Sequence, residues 1–126
     1  MDIVLDIETL STRPDAVVLT IGAVKFDVNA DDIDTNSGFY TRVDVNEQIE
    51  MGRHVSDDTV KWWSTQPKDV WDEALSEDNR DSVKDALMGL NKFLVCGGNI
   101  WVQGPVFDIA TLENLYRQIN MPPPWH

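Results

Sequence analysis

The chain has 126 residues, 42% of them hydrophobic and 25% charged, which is ordinary for a globular protein and too short for two domains. Its longest apolar runs, such as residues 16–19, are far too short to span a membrane. Ten Lys and Arg against 22 Asp and Glu give a net charge of −12, which argues against a protein that coats nucleic acid through a basic surface.

The first third of the chain predicts three strands in an antiparallel meander. Residues 2–8 predict a short buried strand, and residues 17–27 predict a second one, in which Gly22 is expected to mark a bulge or a close approach. The acidic residues 29–36 predict a turn, and residues 38–43 alternate well enough for a third strand. The connections are short, which favours antiparallel pairing.

The middle of the chain predicts helices. Ser56 is a suitable N-cap for a helix over residues 57–64, and a proline opens a second short helix over residues 67–75. Residues 81–95 have apolar side chains at helical spacing and are followed by a glycine pair, which is typical of a helix end.

A short strand over residues 99–103 and a helix over residues 108–120 complete the predicted elements, and the proline-rich tail cannot be helical. Because helices precede the fourth strand, it is expected to lie parallel to the first. The predicted fold class is therefore α/β, with a mixed sheet made of an antiparallel three-stranded meander plus one parallel strand, flanked by helices.

Two acidic residues lie on one face of the first predicted strand. Asp6 and Glu8 are two positions apart, so both side chains leave the same face of the strand. Two carboxylates within an apolar strand are costly to bury without partners, and a shared divalent cation would relieve that cost. The sequence therefore predicts a metal site here.

Asp108 has two compatible interpretations. It can cap the helix that follows it, and its carboxylate can face Asp6 and Glu8 from the neighbouring strand end. Sites in open sheets gather near the carboxyl ends of parallel strands, which favours the second role. Phe107 is expected to anchor the turn before Asp108 and to lie beside the substrate.

The remaining candidates are aromatic residues, histidines and a cysteine. Of Trp62 and Trp63, one is expected in the core, and the other could stack on the bases of a single-stranded end. His54 is interpreted as a loop residue, and neither histidine has the spacing of a zinc site. The single cysteine, Cys96, is expected to be buried near a helix end, and it fits a reducing cytoplasm.

Three segments carry a resemblance to a known family. Residues 6–10, Asp-Ile-Glu-Thr-Leu, resemble the first motif of the DEDD (DnaQ-like, RNase T-like) 3′→5′ exonucleases. Residues 101–108, Trp-Val-Gln-Gly-Pro-Val-Phe-Asp, resemble the second motif. Residues 56–63 are similar to a Thr-x-x-Trp-Trp helix of the phage and prophage branch that includes the phage exonuclease A type.

The resemblance implies an RNase H-like fold and a metal-dependent hydrolase. Two Mg²⁺ or Mn²⁺ ions would be held by Asp6, Glu8, Asp108 and a fourth acid, and would promote attack by water on the 3′-terminal phosphodiester. Thr9 would contact the terminal nucleotide through its backbone or hydroxyl, and Leu10 as an apolar wedge against the base. The implied partner is a nucleic acid with a free 3′ end, DNA or RNA, with no membrane, and the implied location is the cytoplasm of a bacterium or a phage-infected cell.

The family's third motif, a His or Tyr a few residues before a final Asp, has no counterpart here. Glu113 is the only acid after Asp108, and it lies inside a predicted helix, while His126 is the last residue. We therefore expect a single exonuclease-like domain over residues 1–126 that is truncated at its C-terminus.

Two alternatives follow from these features. The missing fourth acid favours a catalytically incomplete module that binds nucleic-acid ends or a protein partner. The charge of −12 alone favours an acidic mimic that binds a nucleic-acid-binding protein. The exonuclease predicts metal binding through Asp6, whereas the mimic predicts salt-sensitive binding that does not depend on Asp6 or Glu8.

Overall fold

Four strands form one mixed sheet in the order β3-β2-β1-β4. They are β1 (Asp2–Thr9), β2 (Val18–Phe26), β3 (Ile33–Arg42) and β4 (Ile100–Trp101). β2 pairs antiparallel with both β1 and β3, whereas β4 pairs parallel with β1. The predicted fold class, a three-stranded antiparallel meander plus one parallel strand flanked by helices, is confirmed.

The computed structural model describes residues 2–27, 29, 33–95, 98–103 and 105–125, without the side chains of residues 33–37, 105 and 106. Predictions for Cys96, for the first glycine of the pair that follows it, for the turn at Gly104 and for His126 lie outside the described residues. None of the helices in the part of the chain that the structure describes has the length and apolar character needed to cross a membrane.

The central strand β1 has one buried and one open face. Ile3, Leu5 and Ile7 are buried in the main core, whereas Asp6 and Glu8 alternate with them on the opposite face. The strand that was predicted to be buried is therefore buried on one face only, the face that packs against the core-forming helices. The alternation fixes which side chains can reach the open face.

Within the described residues, five helices flank the sheet: α1 (Val45–Glu50), α2 (Asp57–Ser64), α3 (Lys68–Leu75), α4 (Val83–Leu94) and α5 (Pro105–Gln118). Buried side chains from α4 and α5, among them Leu87, Leu90 and Leu112, pack against the apolar face of β1. The predicted cap of α2 is confirmed, since the Ser56 hydroxyl accepts a hydrogen bond from the Thr59 amide at 3.4 Å.

Two predictions for the local structure are wrong, and one helix was not predicted. Gly22 forms no bulge, because it pairs in register with Asp6 and Tyr40 on its two neighbouring strands. β3 begins at Ile33, so the predicted turn over residues 29–36 is too long. Helix α1 was not predicted, because six residues are too few for an apolar period to stand out.

A buried glutamine joins α1 to the start of β2. The Gln48 side chain accepts a hydrogen bond from the Val18 amide at 2.7 Å and donates to the Val18 carbonyl at 2.8 Å. It also donates to the Asp44 carbonyl at 2.8 Å. Because buried backbone groups need partners, this amide holds α1 against the sheet.

We expect Gln48→Ala to lower the free energy of unfolding by about 2–4 kcal/mol, because it leaves buried backbone groups of Val18 and Asp44 without partners. Urea denaturation would measure this loss. Glu50→Ala, at an exposed position of the same helix, is the control and should change stability little. Equal effects of the two substitutions would contradict the prediction.

Candidate active site at the end of the first strand

Three acidic side chains meet where β1 ends and α5 begins. Asp6 and Glu8 project from the open face of β1, and Asp108 lies in the first turn of α5. Asp108 is only 6% exposed. Its predicted N-cap role is wrong, because α5 begins at Pro105, three residues earlier. Within the first turn, the helix dipole still favours a negative charge.

The three carboxyl groups are close enough to perturb one another. Burial, followed by the nearby charge of Asp6, raises the pKa of Asp108 to about 6, while a backbone hydrogen bond from Ile7 opposes the rise. Burial, followed by the charges of Asp6 and Asp108, also raises the pKa of Glu8. Burial raises the pKa of Asp6, again opposed by the Ile7 backbone. A nearby cation would favour the ionised form of all three groups.

The donor atoms at this point suit a hard divalent cation. Carboxylate oxygens are the protein ligands that Mg²⁺ prefers, and Asp6, Glu8 and Asp108 provide only such oxygens. Among the described residues, no group of three His, Cys, Asp or Glu side chains is arranged closely enough to hold a metal ion. The three acids therefore lie close enough to interact electrostatically and offer oxygens that suit Mg²⁺. Their side chains are not arranged as a complete metal site.

A cavity of about 710 Å³, here called the tryptophan cavity, adjoins the acids. Glu8 and Asp108 line it together with Thr9, Trp62 and Phe107. Its volume lies within the range of about 300–1,000 Å³ that is usual for small-ligand sites. The structure thus brings most of the predicted site residues into one concave surface.

As predicted, one of the two tryptophans is buried in the core and the other is exposed. Trp63 is 3% exposed, and its indole N–H donates to the Thr9 carbonyl at 3.0 Å. Trp62 is 53% exposed, and its ring meets that of Trp63 edge to face with centroids 4.9 Å apart. Trp63 therefore belongs to the core, and Trp62 presents its ring to the tryptophan cavity.

Thr9 and Leu10 follow the acids but occupy different surroundings. The Thr9 hydroxyl donates to the Ser11 carbonyl at 2.7 Å, and Thr9 lines the tryptophan cavity. Leu10 is 7% exposed and packs in a second core cluster with Val17 and Leu19. The predicted contact between Leu10 and a base is not favoured by this packing.

Sequence reasoning missed the polar residues that hold the loop after β1. Ser11 is 1% exposed, and its hydroxyl shares a hydrogen bond of 2.5 Å with Nδ1 of His54. The backbone of His54 also pairs with Asp15 and Val17 on the same loop. No signal in the sequence could reveal contacts between positions 43 apart.

We expect Asp108→Asn to stabilise the metal-free chain at pH 7.5 by on the order of 1–3 kcal/mol. The folded pKa of Asp108 is raised from 3.8 to about 6, so the free energy of unfolding falls as the pH rises between these values. The substitution removes this penalty. Thermal melts in EDTA at pH 4 and pH 7.5 measure it, with Asp85→Asn in the first turn of α4 as the control. A gain at pH 4 equal to that at pH 7.5 would contradict the prediction.

The chain is similar to several known nucleases. Residues 1–126 match the family described as the 3′-5′ exoribonuclease Rv2179c-like domain. The exodeoxyribonuclease of Enterobacteria phage T4 is 25% identical over 131 residues, a match that covers 94% of this chain and 57% of the phage protein. This chain thus spans little more than half the length of that relative. The crystal structure of cell-death related nuclease 4 (CRN-4) aligns with a TM-score of 0.49 and 20% identity, over 79% of this chain and 33% of that one. The chain belongs to the Rv2179c-like family of 3′-5′ exoribonuclease domains.

Proposed function

We propose that this chain hydrolyses phosphodiesters from the 3′ end of a nucleic acid, with Mg²⁺ or Mn²⁺ held by Asp6, Glu8 and Asp108. The observation that carries the proposal is the convergence of these three carboxyl groups beside the tryptophan cavity, where the charge of Asp6 raises the pKa of both Glu8 and Asp108. Perturbed acids in a concave site are typical of catalytic centres. Membership of a 3′-5′ exoribonuclease family supports the same reaction.

The negative charges of the acids repel a negatively charged substrate. A phosphodiester is negative, as are the three carboxylates and the chain as a whole, which carries a charge of −12. When bound, divalent cations neutralise this repulsion, ready a water for attack and stabilise the leaving oxygen. The oxygens that would hold these cations come from Asp6 and Glu8, two residues apart on the central strand, and from Asp108 in the first turn of α5.

The tryptophan cavity supplies the binding surface for the 3′-terminal nucleotide. The exposed ring of Trp62 offers a stacking platform, and Phe107 lies across the same cavity. Trp63 holds Thr9 in place through its hydrogen bond to the Thr9 carbonyl. Stacking tolerates any base, so this surface suits an enzyme that removes successive nucleotides regardless of sequence.

The substrate class is a single-stranded 3′ end. The family description names RNA, whereas the phage T4 relative is named for DNA. Both polymers present the same phosphodiester and stacking bases, and an exposed indole favours unpaired bases that can reach it. We therefore propose single-stranded ends of either polymer as substrates, with RNA as the first to test.

We expect the wild-type chain to shorten single-stranded oligonucleotides stepwise from the 3′ end in Mg²⁺ or Mn²⁺. Asp6→Asn should slow this reaction by about 10²-fold or more, because one of the metal-binding oxygens is lost. Denaturing gels of 5′-labelled RNA and DNA would show the ladder, and EDTA should abolish it. Asp85→Asn, the same chemical change at an exposed helix position, should retain full activity. Metal affinity is measured in parallel by titration calorimetry and should fall in Asp6→Asn.

One observation favours a second function. The described acids form no closed three-ligand metal group, which favours a catalytically incomplete module that binds nucleic-acid ends or a protein partner. The digestion assay separates the two functions. Folded chain that binds Mn²⁺ and oligonucleotide but releases no nucleotide in any metal would support the module and overturn the exonuclease.

We expect Trp62→Ala to weaken binding of a single-stranded decanucleotide by about 5- to 150-fold, the loss that one stacked base accounts for. Its thermal midpoint should change little, since Trp62 is 53% exposed. Trp101→Ala is a matched control, because Trp101 is equally exposed at 53% but lies on β4. Fluorescence anisotropy measures the affinity, and equal losses in both variants would contradict a specific role for Trp62.

A further inference from the structure

A second cavity adjoins the acids on the side of β2 and β3. This tyrosine cavity, of about 510 Å³, is lined by the Gly22 backbone, the Tyr40 ring, and Val70 and Ala74 of α3, with Asp6, Glu8, Asp69 and Glu73 among its acidic residues. It shares Glu8 and Trp63 with the tryptophan cavity. The two cavities therefore adjoin one another at Glu8 and Trp63.

Gly22 forms the floor of the tyrosine cavity because it has no side chain. Asp6, Gly22 and Tyr40 pair in register across β1, β2 and β3, so Gly22 separates the carboxylate from the ring. A Cβ atom at this position would lie 3.9 Å from Cδ2 of Tyr40 and 4.0 Å from the Asp6 carbonyl. These are ordinary van der Waals distances, so the fold tolerates a larger residue at this position. The missing side chain of Gly22 nevertheless keeps the cavity open above the strand.

The Tyr40 ring is held in place although it is 56% exposed. Its hydroxyl donates to Oε1 of Glu73 on α3 at 2.6 Å, and the same oxygen lies 3.8 Å from Nε of Arg42. The Arg42 guanidinium also donates to the Asp78 and Ser76 carbonyls, both at 2.6 Å, which ties the end of α3 to the sheet. A fixed, solvent-facing aromatic ring is a stacking surface with little entropy to lose on binding.

The charges around the cavity select the part of a nucleic acid that can enter. Besides Asp6 and Glu8, the proposed metal ligands, the ionisable groups that line it are the carboxyls of Asp69 and Glu73 and the phenol of Tyr40, so a phosphate group away from the metal site is repelled. Carboxylate oxygens accept hydrogen bonds, and Oε2 of Glu73 makes none within the described part of the chain. The matching ligand is a neutral nucleoside that carries hydroxyl or amino donors.

We propose that the tyrosine cavity binds a nucleoside of the substrate strand, stacked on Tyr40 over Gly22, with a ribose hydroxyl or an exocyclic amine facing Glu73. This inference rests on the proposed function, because it places the bond to be cleaved at the acids, between nucleosides in the two cavities. It assigns specificity to Gly22, Tyr40 and Glu73, none of which belongs to the acid cluster.

The test uses one substitution that fills the cavity and one that removes its aromatic ring, and measures how tightly each variant binds an oligonucleotide. Gly22→Val occupies the floor and suits a β-strand, so its thermal midpoint should not fall, and Tyr40→Ala removes the ring. The probe is a 5′-fluorescein decanucleotide whose 3′ linkages are phosphorothioates that resist hydrolysis, measured by anisotropy with Mg²⁺. We expect both variants to bind about 5- to 150-fold more weakly than wild type, and Trp101→Ala to bind normally.

Binding of ribo- and deoxyribo-oligonucleotides of adenine and uracil identifies the hydrogen-bond donor that faces Glu73. Tyr40→Phe keeps the ring and should retain most of the affinity. A larger loss for Glu73→Gln with RNA than with DNA assigns the contact to the 2′-hydroxyl, and a larger loss with adenine than with uracil assigns it to the exocyclic amine. Equal affinities of wild type, Gly22→Val and Tyr40→Ala, or no binding by wild type, would overturn the inference.

A one-nucleoside substrate separates this inference from the proposed function. Hydrolysis of the p-nitrophenyl ester of a nucleoside 5′-monophosphate requires the acids and only one nucleoside site. If wild type cleaves this ester while Gly22→Val binds the decanucleotide normally, the cavity inference fails and the exonuclease stands. If Gly22→Val loses affinity while wild type cleaves neither the ester nor the oligonucleotide, the cavity inference stands and the exonuclease fails.

Discussion

The alternation of side chains along β1 is the constraint on which the rest of the structure depends. Ile3, Leu5 and Ile7 are buried against α4 and α5, and this burial fixes the register of the central strand. A shift of one residue would place acids in the core and isoleucines in solvent, at a cost of several kcal/mol. The same burial that stabilises the fold therefore holds Asp6 and Glu8 on the open face.

Placing a third acid beside this pair works against stability. Asp108 is 6% exposed and is held by α5, whose next turns include the buried Leu112 and Leu115. Packing of that helix buries the carboxyl and holds it near Asp6, and burial first and this repulsion second raise its pKa to about 6. In the proposed function a bound cation offsets this cost, and such a conflict with stability is usual at functional sites.

The walls of the open face come from contacts between distant parts of the chain. Trp63 hydrogen-bonds to Thr9, Tyr40 to Glu73, and Arg42 to the end of α3, so α2 and α3 are both attached to the sheet beside the acids. These contacts leave Trp62 and Tyr40 as exposed rings in the two cavities that adjoin at Glu8 and Trp63. In the proposed function, the acids hold the metal ions that promote hydrolysis, and the two rings position the nucleic-acid strand across them.

The sequence by itself determined the order of the four strands and of four of the five described helices, the fold class and the position of the acid pair, because period-two alternation, helix caps and turn residues are local properties. It also predicted that one tryptophan is buried and the other free, but not which. Only the tertiary structure decided that Trp63 is the buried one, that Leu10 lies in the core, and that Gly22 is the floor of a cavity. Each of these depends on contacts between residues far apart in the chain, and no local pattern encodes such contacts.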